Sequence, residues 1–337
     1  MSNYAYVATR ARSRRSRLLP AEAYNQLLNL EHAEIARYIQ DLEYRREIDR
    51  YGSTLSGADL IETALVDNLA KDVGDFLSFS KGTLRDILQV YAEKYRVDNL
   101  KNIIRGINQN MDKENLERLV CPINDSDKDL YSKLYDSKTV DDVVSYLEGT
   151  NYYNPLKKAL EARNSDSLQP LEDALDLIYY KNLVSNQPSG GADVEVYRNF
   201  IHLKVDIANI KTLLRMRHRG IGAHNELLIN GGTVSVDMLS STQTLEDLLT
   251  SLEGTKYYDL LEPHLKSDSV DLNSCVHSLD EYMANKTKRF SYLYPLSVLP
   301  VLDYLLKKER EVYNLRAIVR GKQAGLANEL IEELVVV

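Results

Sequence analysis

Apolar residues along this chain recur at the three-and-four spacing of helices rather than the alternation of strands. Between Ala21 and Tyr51, Leu27, Leu28, Ile35, Tyr38, Ile39 and Leu42 keep to one amphipathic helical face. Gly52 to Gly57 interrupts that run. A helix restarts over Asp59 to Ala70, with Leu60, Ile61, Ala64, Leu65 and Leu69 as its apolar face and Ser56 placed to cap it. Thr83 to Gly106 closes this first series, with Gly106 near a helix end or a kink. A second series opens at Val140 to Tyr153, has a middle helix at Leu171 to Leu183 and closes with Val194 to Gly220. The third has a middle helix around Leu279 to Ala284 and a closing helix over Val301 to Gly321. Gln187-Pro188-Ser189-Gly190-Gly191 reads as a flexible loop, and Asn230-Gly231-Gly232, Pro295 and Pro300 punctuate the last series. Only Thr233 to Met238 alternates with period two, too short a run to carry a sheet. The expected class is all-α.

The three series share words as well as rhythm. Asn99-Leu100-Lys101-Asn102-Ile103-Ile104-Arg105 returns as Asn209-Ile210-Lys211-Thr212-Leu213-Leu214-Arg215 and as Asn314-Leu315-Arg316-Ala317-Ile318-Val319-Arg320, offset by 110 and then 105 residues. Such spacings exceed a solenoid unit of roughly 20–50 residues, so each copy belongs to a small domain-like unit. The expected segments are 1–110, 111–223 and 224–337, three similar helical bundles in a pseudo-threefold, funnel-like arrangement.

On each copy a basic pair lies four residues apart beside the apolar stripe: Lys101 and Arg105, Lys211 and Arg215, Arg316 and Arg320. Like charges at that spacing repel on an isolated helix, so anionic partners are expected nearby. A second repeated stretch runs from Thr139 through Leu147-Glu148-Gly149-Thr150-Asn151-Tyr152-Tyr153 and from Thr244 through Leu252-Glu253-Gly254-Thr255-Lys256-Tyr257-Tyr258. A degraded copy at Glu34 to Ile39 aligns Tyr38 and Tyr44 with Tyr146 and Tyr152. This alignment stacks Glu34, Asp142 and Asp247, one acid per unit. Two arrangements follow. The basic pairs brace their own bundles through intramodule ion pairs, or they ring a central hole and receive an acidic partner. Bracing is preferred, because a basic group beside an apolar stripe usually pairs within its own fold.

Composition narrows the functional classes. The chain has 337 residues, 44% hydrophobic and 27% charged, with a net charge of −8 that argues against nucleic acid as main partner. No apolar run reaches the ~18 residues of a membrane span, and the charged N-terminus lacks the apolar core of a signal peptide. Cys121 and Cys275 have no second ligand at chelating spacing, so a reduced cytosolic chain is expected. There are 23 Tyr, 4 Phe and no Trp, which suits helices whose faces meet polar grooves or partners. Arg10, Arg12, Arg14, Arg15 and Arg17 crowd the first segment. Intramolecular pairing or a solvated face accounts for them; contact with anionic headgroups would require an apolar face that these residues lack.

Phosphate-cradling loops, dinucleotide fingerprints, nucleophile elbows and zinc-protease pairs are all missing. His32, His202, His218, His224, His264 and His277 are scattered, and structural roles are expected of them. Met216-Arg217-His218-Arg219-Gly220 reads as a basic helix end, where cations sit well with the macrodipole. No catalytic group, cofactor or metal is expected.

The repeated Asn-aliphatic-basic-x-aliphatic-aliphatic-Arg pattern, the Leu-Glu-Gly-Thr-x-Tyr-Tyr segments and the opening Tyr4-Ala5-Tyr6-Val7-Ala8-Thr9-Arg10-Ala11-Arg12 together resemble the family of C subunits of archaeal A-type ATP synthases. That family is similar to the d subunits of eukaryotic vacuolar (V-type) ATPases. The resemblance spans Tyr4 to Leu334 and departs from the pattern in the first unit, where Ile39-Gln40-Asp41-Leu42 replaces Leu-Glu-Gly-Thr. It implies a non-catalytic coupling piece of a rotary machine that makes ATP by ion transport. Three helical bundles would form a funnel on the membrane rotor ring of proteolipid. The D and F proteins of the central stalk would lodge in it, and torque would reach the A/B catalytic head indirectly. The implied location is peripheral, on the cytoplasmic face of the cell membrane. A generic helical adaptor or scaffold is the alternative.

Overall fold

The helical periodicity is realised throughout. Among residues 3–163, 167–222, 225–266 and 270–336, which the computed structural model describes, helix follows helix and no strand forms. His224, named above and taken as the start of the third unit, lies outside the described residues. The first stretch holds α1 (Tyr4–Arg15), α2 (Ala21–Leu27), α3 (His32–Gln40), α4 (Arg45–Tyr51), α5 (Gly57–Phe79) and the closing helix α6 (Thr83–Asn108). The second holds α7 (Lys113–Leu119), α8 (Asp125–Leu134), α9 (Val140–Tyr146), α10 (Tyr153–Glu161), α11 (Gln169–Ser185) and the closing helix α12 (Ala192–His218). The third holds α13 (Val236–Ser241), α14 (Leu245–Ser251), α15 (Lys256–Leu265), α16 (Leu272–Leu293), the closing helix α17 (Leu299–Gln323) and α18 (Asn328–Glu332). The apolar run over 21–51 is divided into three short helices, and the alternating 233–238 segment leads into α13. Ser56 stands at the N-cap of α5 without a side-chain bond.

The closing helices α6, α12 and α17 end alike. A residue in the left-handed region follows each: Asn110 (φ 55°), Gly220 (φ 66°) and Gly325 (φ 70°). The next amide then reaches back to the carbonyl five residues earlier, Met111 to Gly106 at 2.9 Å, Ile221 to Met216 at 2.9 Å and Leu326 to Gly321 at 3.0 Å. This is the bond pattern of a Schellman stop, and it turns the chain back along its own helix. Gly106 therefore sits one turn inside the end of α6. A Cβ there would lie 2.2 Å from Leu116 Cδ2, and one on Gly321 would lie 2.6 Å from Ile331 Cγ1, so both glycines admit the returning segment.

The repeated asparagines fasten that returning segment. Asn99 donates to Cys121 O (2.8 Å) and accepts from Cys121 N (3.0 Å). Asn209 does the same with Ile229 (2.8 and 2.9 Å), and Asn314 with Val336 (2.8 and 2.9 Å). An amide side chain has the donor and acceptor that one residue's main-chain edge requires, so each clamp satisfies both sides at once. All three asparagines are at most 3% exposed.

The second repeated stretch docks onto these helices. Thr139 with Asp142, and Thr244 with Asp247, form capping boxes at α9 and α14; the Glu34 carboxylate accepts from Glu31 N in the same way at α3. Gly149 (φ 85°) and Gly254 (φ 78°) then turn the chain into the helix that follows. Behind each turn a buried tyrosine hydroxyl reaches a carboxylate on a closing helix: Tyr152 to Glu93 on α6, Tyr257 to Asp206 on α12 (3.0 Å) and Tyr44 to Glu311 on α17 (2.6 Å). With segments drawn at 110 and 223, every one of these contacts crosses from one segment to the preceding one, the last from the first segment to the third. Helix packing follows the same order: α11 on α6, α16 on α12 and α5 on α17. One hydrophobic cluster accordingly holds Leu27, Ile39, Ile61 and Leu65 together with Leu315, Ile318 and Ile331 from the other end of the chain.

If the clamps hold the fold, Asn209→Ala should lower the unfolding free energy by about 2–4 kcal/mol, since a fully buried amide leaves two main-chain groups unpaired. Urea denaturation monitored by circular dichroism measures this. A loss below about 1 kcal/mol would show that the clamp is incidental.

Candidate functional site: a polar junction of the closing helices

Five residues before each clamping asparagine the sequence carries Lys94, Lys204 and Glu309, one register position in three copies. The fold brings the three together. Glu309 accepts from Lys94 Nζ at 2.5 Å and from the Tyr95 hydroxyl at 2.5 Å. Lys204 lies in the same field with its ammonium 5.7 Å from the ring centroids of Tyr91 and Tyr179 and 5.8 Å from that of Tyr180. Burial raises the Glu309 carboxyl, but Lys94 and the two hydrogen bonds outweigh it and the group stays below the ordinary carboxylate range. Burial likewise opposes the charge on Lys94, which Glu309 and Asp98 restore, so its pKa is raised. Lys204 is not compensated to that extent. Burial and the neighbouring Lys94 bring its pKa down to about 8. One carboxylate is shared by two ammonium groups, and the nearer one holds it.

Beside this junction a cavity of about 710 Å³ opens between α5, α6 and α17. Lys94, Asp98, Glu309, Arg316, Arg320 and Glu62 supply its charges. Asp98 is exposed although protein surrounds it on most sides, as befits a side chain lining a concavity, and burial raises its pKa against the pull of Lys94 and Lys101. Tyr313 (54% exposed), Leu326 (41%) and Leu334 (44%) add apolar surface to the wall. A second hollow of about 320 Å³ lies between α11 and α12, where Asp173, Asp176, Lys211 and Arg215 meet.

Five of the six repeated basic residues make ion pairs, and their partners differ from the acids that the sequence alignment stacked. Lys101 pairs with Asp176 (2.6 Å) and Arg105 with Glu172 (2.6 Å), both on α11. Lys211 pairs with Asp280 on α16 (2.5 Å). Arg316 (3.4 Å) and Arg320 both reach Glu62 on α5. Glu34, Asp142 and Asp247 are engaged instead in helix N-caps, each satisfying main-chain amides within its own turn. Each of these five thus reaches from a closing helix to the middle helix packed on it, across the segment boundaries drawn from sequence. Arg215 is exposed and, among the described residues, makes no ion pair; it lies near enough to Asp173 to favour that carboxylate's charged form.

The sequence pattern holds further signals. The Thr-x-x-Asp spacing at Thr139 and Thr244 is that of a capping box. The clamp and tyrosine positions are repeated residues whose partners periodicity does not reveal, because each partner lies in another part of the chain. Lys94, Lys204 and Glu309 fall outside the repeated words, although two lysines and a glutamate at one register position signal a meeting point. His32 Nε2 lies 3.0 Å from Val319 O, a structural contact. Among the described residues no group of three or more His, Cys, Asp or Glu is placed to hold a metal ion, and no helix is long and apolar enough to cross a membrane.

Comparison with known proteins adds a family. The sequence profile described as "ATP synthase (C/AC39) subunit" matches residues 7–334. A Haloferax volcanii protein, named as the C subunit of an A-type ATP synthase, is 36% identical, covering 99% of this chain and 98% of that protein. Its namesake in Halobacterium salinarum is 34% identical over 98% of this chain and 97% of its own length. The one in Methanosarcina acetivorans is 32% identical over 100% and 93%.

The junction and the basic residues each give a test. Lys204 loses its proton near pH 8 when folded, whereas an unfolded lysine holds it to about pH 10.4, so between these values the unfolded state binds more protons and stability rises with pH. Below pH 8 the burial cost is felt in full. Lys204→Met is therefore expected to raise the unfolding free energy at neutral pH by about 1 kcal/mol, discounted for partial exposure, and to flatten the rise above pH 8. Urea titrations at neutral and alkaline pH check it; parallel profiles for the two proteins would refute it. In the same assay Arg320→Ala should cost about 1 kcal/mol while Arg215→Ala costs less than about 0.5 kcal/mol. Equal losses would contradict the pairing described.

Proposed function

The chain belongs to the ATP synthase (C/AC39) subunit family, and from that premise we propose that it is a non-catalytic coupling piece of an A-type ATP synthase. In this reading its partners lie within that complex. The three segments form a funnel-like socket for the D and F proteins of the central stalk, seated peripherally on the proteolipid rotor ring at the cytoplasmic face of the membrane. Torque passes through the socket toward the A/B head during ATP synthesis coupled to ion transport.

The observation that carries this reading is the near-full-length similarity to proteins named as C subunits of A-type ATP synthases. The polar junction supports it further. A joint that transmits torque distributes load over many moderate contacts, and charged groups around a socket set fit and on-rate more than raw affinity. The six basic residues Lys101, Arg105, Lys211, Arg215, Arg316 and Arg320 divide accordingly. Those engaged with Asp176, Glu172, Asp280 and Glu62 brace neighbouring helices, and Arg215, exposed without an ion pair, is the one offered to the stalk.

The test is retention from solubilised membranes of the source on the tagged chain, with the retained proteins identified by mass. Ring proteolipid and stalk proteins are expected together. Arg215→Ala should reduce stalk recovery several-fold and leave the thermal melt nearly unchanged, because Arg215 is exposed and makes no ion pair among the described residues. Recovery of neither component from an intact complex would replace the coupling role with that of a helical adaptor.

A further inference from the structure

The arginines at the start of the chain are not all absorbed by the fold. Arg14 pairs with Asp72 (2.7 Å) and Asp75 (2.5 Å), Arg15 with Asp303 (2.6 Å) and Arg17 with Glu43 (3.1 Å). Arg10 and Arg12 stay exposed, Arg10 lying 4.8 Å from the Tyr6 ring centroid and 4.2 Å from that of Phe79. Along the sequence these charges lack an apolar face. The fold supplies one from the far end of the chain. Over the end of α16 and the turn into α17, Tyr292-Leu293-Tyr294-Pro295-Leu296 are five consecutive exposed residues, with Leu293 at 60% and Leu296 at 63%.

That loop stands at the C-terminal end of α1. The Arg15 guanidinium lies 5.2 Å from the Tyr292 ring centroid and donates to its hydroxyl at 3.4 Å. At the other end of α1, Asn3 donates to Phe79 O (2.8 Å) and accepts from Lys81 N (3.0 Å), tying in the loop between α5 and α6. The three stretches so joined, 3–21, 77–85 and 286–302, contain no acidic residue, in a chain with 50 of them and a net charge of −8. Arg10, Arg12, Lys81, Arg85, Lys288 and Arg289 are exposed on them. The loops at the corresponding place in the other two segments, Phe79-Ser80-Lys81-Gly82 and Gln187 to Gly191, have no such apolar tip.

We propose that this surface rests directly on the lipid bilayer, the Tyr292–Leu296 loop entering the headgroup boundary and the exposed cations meeting anionic phospholipid headgroups. A protein groove takes its anchors singly into fitted pockets. A tip carrying two tyrosines and two leucines, set among cations and free of acids, has the composition of an interfacial lipid contact instead. Neither part suffices alone, since the charges need an apolar face and the short loop needs attraction to the surface. The inference rests on the proposed position beside the membrane, yet its test requires neither ring nor stalk, so either reading can fail without the other.

The experiment is flotation of the full-length chain with vesicles of phosphatidylcholine alone and with vesicles that also contain phosphatidylglycerol, each at low and at half-molar salt. Binding to the anionic vesicles at low salt should exceed binding to the neutral ones by roughly tenfold and fall at high salt. Leu293→Ser with Leu296→Ser should lower the anionic partition about tenfold, and Arg10→Ala with Arg12→Ala should lower it and weaken its salt dependence. All four positions are exposed, so circular dichroism and melting of the variants should match the parent. Failure of the parent chain to float with anionic vesicles, or equal flotation of parent and both double variants, would overturn the proposal. Loss of ring proteolipid from the retention assay with the leucine variant, while vesicle binding stays unchanged, would do so too and assign the loop to a protein partner.

Discussion

Each long closing helix carries polar side chains on faces that other helices cover, and buried polar groups must be paired. Glu93, Asp206 and Glu311 need donors; Asn99, Asn209 and Asn314 need a main-chain edge. The asparagine takes its partner from the segment just turned back by the Schellman stop. The carboxylate takes its partner from a tyrosine one segment later, or, for Glu311, from Tyr44 in the first segment. Packing, capping and turn chemistry are arranged so that these bonds can be made. The aliphatic stripe gives burial, which is not directional; the polar bonds fix which helix lies against which.

Much of this is written plainly in the sequence, in a particular sense. Helical periodicity and the tripled words identify the closing helices to within a few residues, and the repeat places Tyr44 with Tyr152 and Tyr257 even where Leu-Glu-Gly-Thr is lost. Pairing across segments is not legible there, because register is a property of one helix whereas partnership depends on how two distant helices come to touch. Charge logic alone chooses Glu34, Asp142 and Asp247 as partners for the basic pairs, and local main-chain hydrogen bonding wins instead. Those acids sit at the third helical position of their turns, where unpaired amides are closest to hand. The acids that do reach the basic residues share register on the middle helices, Glu62 with Glu172 in Ile61-Glu62-Thr63-Ala64-Leu65 and Leu171-Glu172-Asp173-Ala174-Leu175, and Asp176 with Asp280, a weaker repeat than the words that align Glu34, Asp142 and Asp247.

The three copies are similar without being equal, and the differences fall at the junction. Lys94 and Lys204 meet one glutamate, Glu309, so a position that is uniform in register is mixed in charge. Arg105 and Arg320 find glutamates on the neighbouring helix, while Val276 stands beside Arg215 in the corresponding hollow. A repeated scaffold with uneven charge can present different faces to one asymmetric partner, which identical copies cannot do.

The sharing of one hydrophobic cluster by residues 27–65 and 315–331 has a mechanical meaning. A linear array of repeats has two loose ends and frays from either, each unit held by one neighbour at the tips. Here the first and last elements are each other's neighbours, so there is no tip from which unzipping can begin. The two chain ends form a seam that no covalent link closes, held by this apolar cluster together with polar bonds such as Tyr44 to Glu311 and Arg320 to Glu62.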